Sequence, residues 1–337
     1  RDSLKTVEDS KGPRDSKELI YDQIIEDLTF AEEHLPLRSE YSASDEGRIN
    51  KGAAKILFGK VYLTKGDFQK AKDKLAEVVE HESEYGFGLH KDYHANWLRD
   101  TEAGIEAVLY IEYKEPPFQH NGEMALAGPK YSIPGSLGIS ALNEADIPTQ
   151  ELYDQFDNRD LRKKTNFKTE FAHLKTGEIL KSSIPLSGKF WVEGLETGDR
   201  CDVNMHIIRY ADAILMYAEA LNEVGKSTKA LAMLNRIRER AFGDDSGNFK
   251  PMSKDEFRTA ILNERRLEFP HEGHRWFDLV RTGTFIQRMK EHSAYEAKVA
   301  EANKTEIAQN IKEHMILMPI PQSEIDLNPN LVQNAGY

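Results

Sequence analysis

The stretch RYADAILMYAEALNEVGKSTKALAMLNRIRERA, residues 209–241, decides the fold class. Its apolar side chains recur at three- and four-residue intervals, which predicts amphipathic α-helices because residues at that spacing share one helix face. An earlier stretch, NKGAAKILFGKVYLTKGDFQKAKDKLAEVVE at residues 50–80, has the same texture and is interrupted at Lys65-Gly66-Asp67. A turn this short joins its two helices as an antiparallel hairpin.

The two stretches match position by position at an offset of 159 residues. The matching pairs are Phe58-Gly59 with Tyr217-Ala218, Tyr62 with Leu221, Ala71 with Ala230, Leu75 with Leu234, and Val78 with Ile237. Generic helical hairpins would not need this register, so we interpret both as tetratricopeptide-like units whose small residues let paired helices approach closely. We predict hairpins from Asn50 to Glu80 and from His206 to Ala241, in a mainly α fold with little β structure.

Composition excludes several classes of protein. The 337-residue chain is 39% hydrophobic and carries a net charge of −12, which argues against a nucleic-acid surface because phosphate binding needs clustered Lys and Arg. No apolar run approaches the roughly 20 residues that cross a bilayer. The single cysteine, Cys201, leaves no internal disulfide framework. The polar start without Met or signal peptide predicts a processed or truncated piece of a longer protein.

The segments around the hairpins differ in periodicity and composition. SKELIYDQIIEDLTFAEEHLP has helical periodicity, with Ser16 as N-cap and Pro36 as stop. AVLYIEY, from Ala107 to Tyr113, is the one convincing short strand. The chain after it is rich in Gly, Pro, Ser and Asn. A long irregular insertion on a helical scaffold is more often a functional loop than a spacer.

The stretch NERRLEFPHEGHRWFDLVRTG, residues 263–283, raises the question of a metal site. A zincin places two histidines four apart on a helix, whereas His271 and His274 are three apart with Gly273 between them. Its acidic and basic residues alternate at helical spacings, which favours an ionic network in which each partly buried charge has a partner. We therefore predict a structural network and no metal site, with Trp276 and Phe277 as core residues.

Catalytic motifs are missing from the sequence. There is no Gly-x-Ser-x-Gly elbow, and Cys201 has only His206 close by. Gly86-Phe87-Gly88 lacks the third glycine of a phosphate-binding loop. Paired carboxylates such as Glu32-Glu33 fall where solvated charge is the usual explanation. We predict a protein that is not an enzyme and has no cofactor.

Several motifs in one order resemble the SusD/RagB family of Bacteroidota. They are RYADAILMYAEALNEVG, ALAMLNRIRERA, ILNERRLEFPHEGHRWFDLVRTG and MPIPQSEIDLNPNLVQNAGY, and the similarity runs from near residue 21 to Tyr337. The arginine-rich block matches the family's core signature rather than its ligand site, although His271 stands where the family usually has an apolar or aromatic residue. Family members are usually longer, so the chain resembles their C-terminal two-thirds.

The resemblance implies a single SusD-like domain over residues 1–337. Its parts are a first helical region (14–90), a strand and loop-rich insertion on the ligand side (91–203), the second hairpin (204–242), the signature helices (250–292) and a closing segment (293–337). It also implies a lipoprotein at the outer membrane surface, anchored by a lipid on a cysteine outside this chain. Such proteins capture nutrients beside a SusC-like TonB-dependent transporter.

Two functional classes remain open. One is capture of a nutrient, with an oligosaccharide or glycan favoured over a peptide of the RagB type, and the other is a repeat scaffold that binds a protein and no small ligand. Aromatic rings stack on sugar faces, so the candidate ligand-binding residues are those of the irregular segments: Phe118, His120, Asn121, Tyr131 and Trp191. Trp97, which precedes the strand, is assigned to the core.

Overall fold

The fold is described by a computed structural model that covers residue 6 and residues 11–114, 121–299 and 310–337. The chain separates into two compact units. The larger unit comprises residues 28–275, and the smaller one comprises residues 1–27 together with 276–337. The prediction of a single domain over residues 1–337 stays a prediction.

The larger unit is built on two helical hairpins, as predicted. The first consists of α2 (Lys51–Lys65) and α3 (Phe68–Val79), and the second of α8 (Tyr210–Glu223) and α9 (Ser227–Phe242). Both helices of the second hairpin begin 159 residues after their counterparts, so the register found in the sequence is also the register of the structure. The prediction of a mainly α fold with little β structure is confirmed.

Small residues make the hairpins compact. Gly59, Ala71, Ala218 and Ala230 are all buried, and a Cβ atom placed on Gly59 would lie 2.5 Å from Cγ of Leu75. A methyl group does not fit at that distance. The helices therefore approach as closely as they do because these positions carry glycine or alanine.

Helix α8 is the centre of the core. Every residue from Tyr210 to Asn222 is buried, which explains why this stretch is apolar on nearly all sides. Helix α10 (Lys254–Glu268) packs against it and begins with a capping box, in which Ser253 and Glu256 satisfy each other's backbone N–H groups. The first hairpin packs on α8 through α3.

Two antiparallel two-stranded sheets occur among the described residues, and only one of the four strands was predicted. Strand β1 (Ala107–Ile111) pairs with β4 (Met205–Arg209), and β2 (Phe167–Ala172) pairs with β3 (Ile179–Ser187). The predicted start of the second hairpin at His206 is wrong, because this residue lies in β4. A five-residue strand that runs directly into a helix has no separate signal in the apolar pattern.

Short helices connect these elements in the larger unit. They are α4 (Glu82–Tyr85), α5 (Glu123–Ala127), α6 (Gln150–Gln155) and α7 (Lys163–Asn166). None exceeds two turns, so the insertion between the hairpins is held by tertiary contacts rather than by its own helices.

The smaller unit contains the chain ends. Helix α1 (Lys17–His34) begins after Ser16, as predicted, and α11 (His274–Arg281), α12 (Phe285–Val299) and α13 (Gln322–Leu327) follow the signature stretch. The two ends are joined by hydrogen bonds such as that from Asn328 Nδ2 to the Gly12 carbonyl, 3.0 Å. The Trp276 ring lies 4.6 Å from that of Phe285. Phe277 is 67% exposed, so its assignment to the core is wrong: its position on α11 faces solvent.

Candidate functional site

The two histidines of the signature stretch have separate partners. Nδ1 of His271 lies 3.0 Å from Oδ2 of Asp146, whereas His274 is buried, with Nδ1 3.3 Å from the Lys60 ammonium. His274 also lies 3.8 Å from Asp212. Across the described ranges of the chain, no three His, Cys, Asp or Glu side chains are grouped as metal ligands. The pair forms two structural contacts instead of one ligand set.

Acidic residues of the signature stretch belong to a buried ionic network, as the charge alternation predicts. The fully buried guanidinium of Arg209 contacts carboxylates of Glu106, Glu268 and Glu272. Arg162, equally buried, contacts Glu268 at 3.0 Å. These ion pairs join the residues just before β1 and α7 to β4, α10 and the loop after α10, so the signature residues hold the core together.

The protonation states of the network follow from its pairing. Burial alone would raise the pKa of Glu272, but Arg209 and Lys189 outweigh it and lower the pKa to about 2. Burial also lowers the pKa of Lys189 to about 8, although Glu272 opposes the change. The Glu272 carboxylate is therefore charged at neutral pH and is paired with internal cations.

Asn121 lies within the insertion, and its polar side-chain atoms form hydrogen bonds with backbone groups. Its Nδ2 donates to the Val203 carbonyl at 2.9 Å, and its Oδ1 accepts the N–H of Glu123 at 2.7 Å. Its own N–H donates to the Cys201 carbonyl. Asn121 is 2% exposed, so in this structure it anchors the start of the loop and does not reach the surface.

The segment from Gly128 to Ile147, here called the Tyr131 loop, displays an aromatic ring on a fixed backbone. Tyr131 is 75% exposed, the most exposed aromatic residue in the described part of the larger unit. One carboxylate oxygen of Glu144 accepts the N–H groups of Lys130, Tyr131 and Ser132, at 2.7, 2.6 and 3.0 Å. The backbone that carries the ring is thus clamped, while the ring itself is open to solvent, with the Lys130 ammonium 5.2 Å from its centre.

The Glu144 carboxylate is well suited to this role. Partial burial would raise its pKa, but the hydrogen bonds from the three backbone N–H groups outweigh burial and lower it. The carboxylate therefore stays ionised, which is the form that accepts hydrogen bonds most strongly. The clamp persists at neutral pH.

Backbone strain is concentrated at this loop. Three non-glycine residues have a positive φ among the described residues: Ala141 at 60°, Glu144 at 55° and His271 at 60°. Two of them lie in the Tyr131 loop, and the third contacts the loop residue Asp146. Each left-handed residue costs about 1 kcal/mol or more. Strain of this kind persists where the surroundings fix an unfavourable conformation, and it recurs at ligand-binding positions.

Trp191 is less open than Tyr131. Its ring is half-buried, 4.8 Å from the Phe171 ring, and packs against two hydrophobic clusters. The Lys168 ammonium lies 5.8 Å from its centre. Much of Trp191 therefore supports the insertion. Trp97 is 4% exposed, which confirms its assignment to the core.

Two predicted ligand residues, Phe118 and His120, lie outside the described residues. Tyr131 is fixed by Glu144 and by the Asp146–His271 contact of the same loop, and neither could be predicted from the sequence. A glutamate that clamps backbone N–H groups leaves no periodic pattern, and His271 drew attention only through a metal motif that it does not complete. The departure of His271 from the family pattern was the available signal.

The larger unit is a helical-repeat scaffold that carries a clamped loop with an exposed aromatic ring. A sequence profile of the SusD family matches residues 188–337. SusD-like protein P2 of Formosa agariphila is 30% identical over 362 aligned residues, which include 97% of this chain. The chain spans 66% of that relative's length.

Solved structures agree with the sequence matches. A SusD superfamily protein from Parabacteroides distasonis superposes with a TM-score of 0.78 at 26% identity, covering 96% of this chain and 70% of the other. A laminarin-binding SusD-like protein superposes with a TM-score of 0.73 at 26% identity, covering 95% of this chain and 69% of the other. The chain belongs to the SusD family, as the sequence motifs indicate.

Proposed function

We propose that this chain captures an oligosaccharide on the Tyr131 loop without cleaving it. The observation that carries the proposal is the exposed ring of Tyr131 on a backbone clamped by Glu144. A flat, apolar ring stacks on the apolar face of a sugar, and a fixed ring loses little conformational entropy on binding. The laminarin-binding relative supports a glycan over a peptide as the ligand.

We extend the proposal to the cell surface by family membership. The protein would act as a lipid-anchored component of the outer membrane and pass its ligand to a SusC-like TonB-dependent transporter. Among the helices of the described residues, none is long and apolar enough to cross a membrane. Membrane contact in this proposal comes from a lipid anchor outside the chain.

The experiment is isothermal titration of purified protein with laminarihexaose and a panel of other oligosaccharides. Tyr131→Ala should weaken binding of the recognised sugar by about 1–3 kcal/mol, the size of a central aromatic contact. Its melting temperature should match that of the wild type because the ring is exposed. Phe30→Ala is the matched control, since Phe30 is 64% exposed and lies on α1.

Equal affinities of wild type and Tyr131→Ala would contradict a role for this ring. Binding of a peptide panel with no sugar binding would favour the RagB-type alternative. Chromatography of the sugars after long incubation checks the non-enzymatic claim, and cleavage products from pure protein would overturn it.

A further inference from the structure

A second surface of the larger unit has the shape and charge of a binding site. A groove of about 440 Å³ lies where α6, α7 and β2 meet. Its lining includes Tyr153, Asn158, Lys163, Lys164, Lys168 and Thr169. Three lysines in one groove are unusual in a chain whose net charge is −12, and a concave wall concentrates their field.

The carboxylates of the lining do not neutralise these lysines. Asp160 is buried, and its carboxylate contacts the fully buried Arg162 at 2.7 Å. Glu170 contacts Lys181, which does not line the groove, at 3.1 Å. Both negative charges are therefore held by cations from outside the groove.

Among the residues that the structure describes, no carboxylate forms an ion pair with Lys163 or Lys164. The Lys163 ammonium donates to Oδ1 of Asn158 at 3.1 Å and lies 4.4 Å from the centre of the Tyr153 ring. Lys164 is exposed. The Lys163 ammonium also donates to the Phe156 carbonyl at 3.3 Å, so its contacts among the described residues are to neutral groups.

The third lysine connects the groove to Trp191. Lys168 contacts Glu193 at 2.8 Å, and its ammonium lies 5.8 Å from the centre of the Trp191 ring. Trp191 does not line the groove, so Lys168 is the residue that connects the groove lining with the Trp191 ring. Aromatic rings beside amide, hydroxyl and ammonium donors match a charged sugar better than a bare inorganic ion.

We propose that this groove binds the carboxylate or sulfate group of an anionic sugar residue, with Lys163 and Lys164 as the charged donors. The inference rests on the proposed function and specifies its substrate class as an acidic glycan. A uronate and a sulfate ester offer the same chemistry, an anion with several acceptor oxygens. The Tyr153 ring would lie beside the sugar that carries the anion.

The test compares sugars that differ in charge. Neutral laminarihexaose, sulfated laminarihexaose and a hexamer of galacturonate are titrated into wild-type protein at low and at moderate salt. At low salt, at least one anionic hexamer should bind about tenfold more tightly than the neutral one, and added salt should reduce that advantage. The anionic hexamer that binds more tightly identifies the recognised group as a sulfate ester or a carboxylate.

Variants locate the effect. Lys164→Ala should weaken binding of the anionic hexamer about threefold, and Lys163→Ala/Lys164→Ala about tenfold. Binding of the neutral hexamer should not change in either variant. Lys226→Ala is the matched control, because this exposed lysine lies just before the start of α9. The groove lies near the other end of α9, where the Ala241 carbonyl accepts the N–H of the groove residue Leu161. The two sites are about 20 Å apart along the helix. The control should bind as the wild type does.

The proposal is wrong if neither anionic hexamer binds more tightly than the neutral one, or if Lys226→Ala loses as much affinity as Lys164→Ala. If the neutral hexamer still binds through Tyr131 in that case, the capture function stands and only the acidic ligand is excluded.

Discussion

Oε1 of Glu268 lies 2.9 Å from Nη1 of Arg209, and both side chains are fully buried. Replacing Arg209 by Met would leave buried carboxylates without their shared cation, so we expect a loss of about 3–5 kcal/mol of unfolding free energy. Urea unfolding followed by circular dichroism measures it. Arg159→Ala is the control, because Arg159 pairs with Asp157 at the surface. An Arg209→Met variant as stable as the wild type would contradict a structural role for the network.

His274 should make the protein less stable in mild acid. Burial is the largest influence and lowers the pKa of His274 from 6.5 to about 4, although Asp212 opposes it. Between pH 6.5 and 4, the His274 imidazole is therefore protonated in the unfolded chain but remains neutral in the folded chain. Stability from this residue is complete above pH 6.5 and declines by about 2–3 kcal/mol as the pH falls to 4. His274→Gln should flatten that part of the stability curve in urea titrations at stepped pH.

Glu102 should have the opposite effect. It is 6% exposed, and burial raises its pKa from 4.5 to about 7, although a hydrogen bond from the Asn204 N–H partly offsets this. A raised pKa stabilises the fold below pH 4.5, and that contribution is lost as the pH rises through 7. Glu102→Gln keeps an acceptor for Asn204 and removes the charge, so it should be more stable than the wild type at pH 8 by about 1–2 kcal/mol. Equal melting temperatures of Glu102→Gln and the wild type at pH 8 would show that the buried Glu102 carboxylate does not destabilise the fold.

The hairpins could be predicted from the sequence because their packing is local and periodic. The positions of Gly59 and Ala218 are set by contacts within each hairpin, and these repeat at one offset. The same holds for the signature charges, whose alternation follows from helix geometry. Burial of a single residue was less predictable: Phe277 belongs to an apolar pattern but faces solvent.

The site could be predicted only as a region. The Gly- and Pro-rich texture marked the insertion, and Tyr131 was found by its residue type. Glu144 was not found, because it lies thirteen positions after Tyr131 and binds backbone rather than side chains. The positive φ of Glu144 has no sequence signal either, since left-handed non-glycine residues are imposed by tertiary contacts. Strands β2 and β3 were missed because their exposed faces carry little apolar alternation.

Gly59 tests the hairpin packing. Helix propensity alone predicts that Gly59→Ala would stabilise α2 by about 1 kcal/mol. The new methyl group would meet the Leu75 side chain, so we expect destabilisation by about 1–3 kcal/mol instead. Adding Leu75→Ala opens space, and in that background Gly59→Ala should become neutral or favourable. A double-mutant cycle by urea unfolding measures the coupling, and additive effects would argue against close packing.

Glu144 links the strained loop to binding. Glu144→Ala removes the acceptor of three backbone N–H groups, so amide exchange at residues 130–132 should accelerate while the melting temperature stays near that of the wild type. A mobile Tyr131 must be ordered by the ligand, which should weaken sugar binding by about 1 kcal/mol. Glu144→Gln retains one acceptor oxygen, so its amide exchange rates and its sugar affinity should lie between those of the wild type and Glu144→Ala. Glu178→Ala, an exposed glutamate in the turn between β2 and β3, serves as the control. Faster exchange without any loss of affinity would show that the ring need not be held in place to bind.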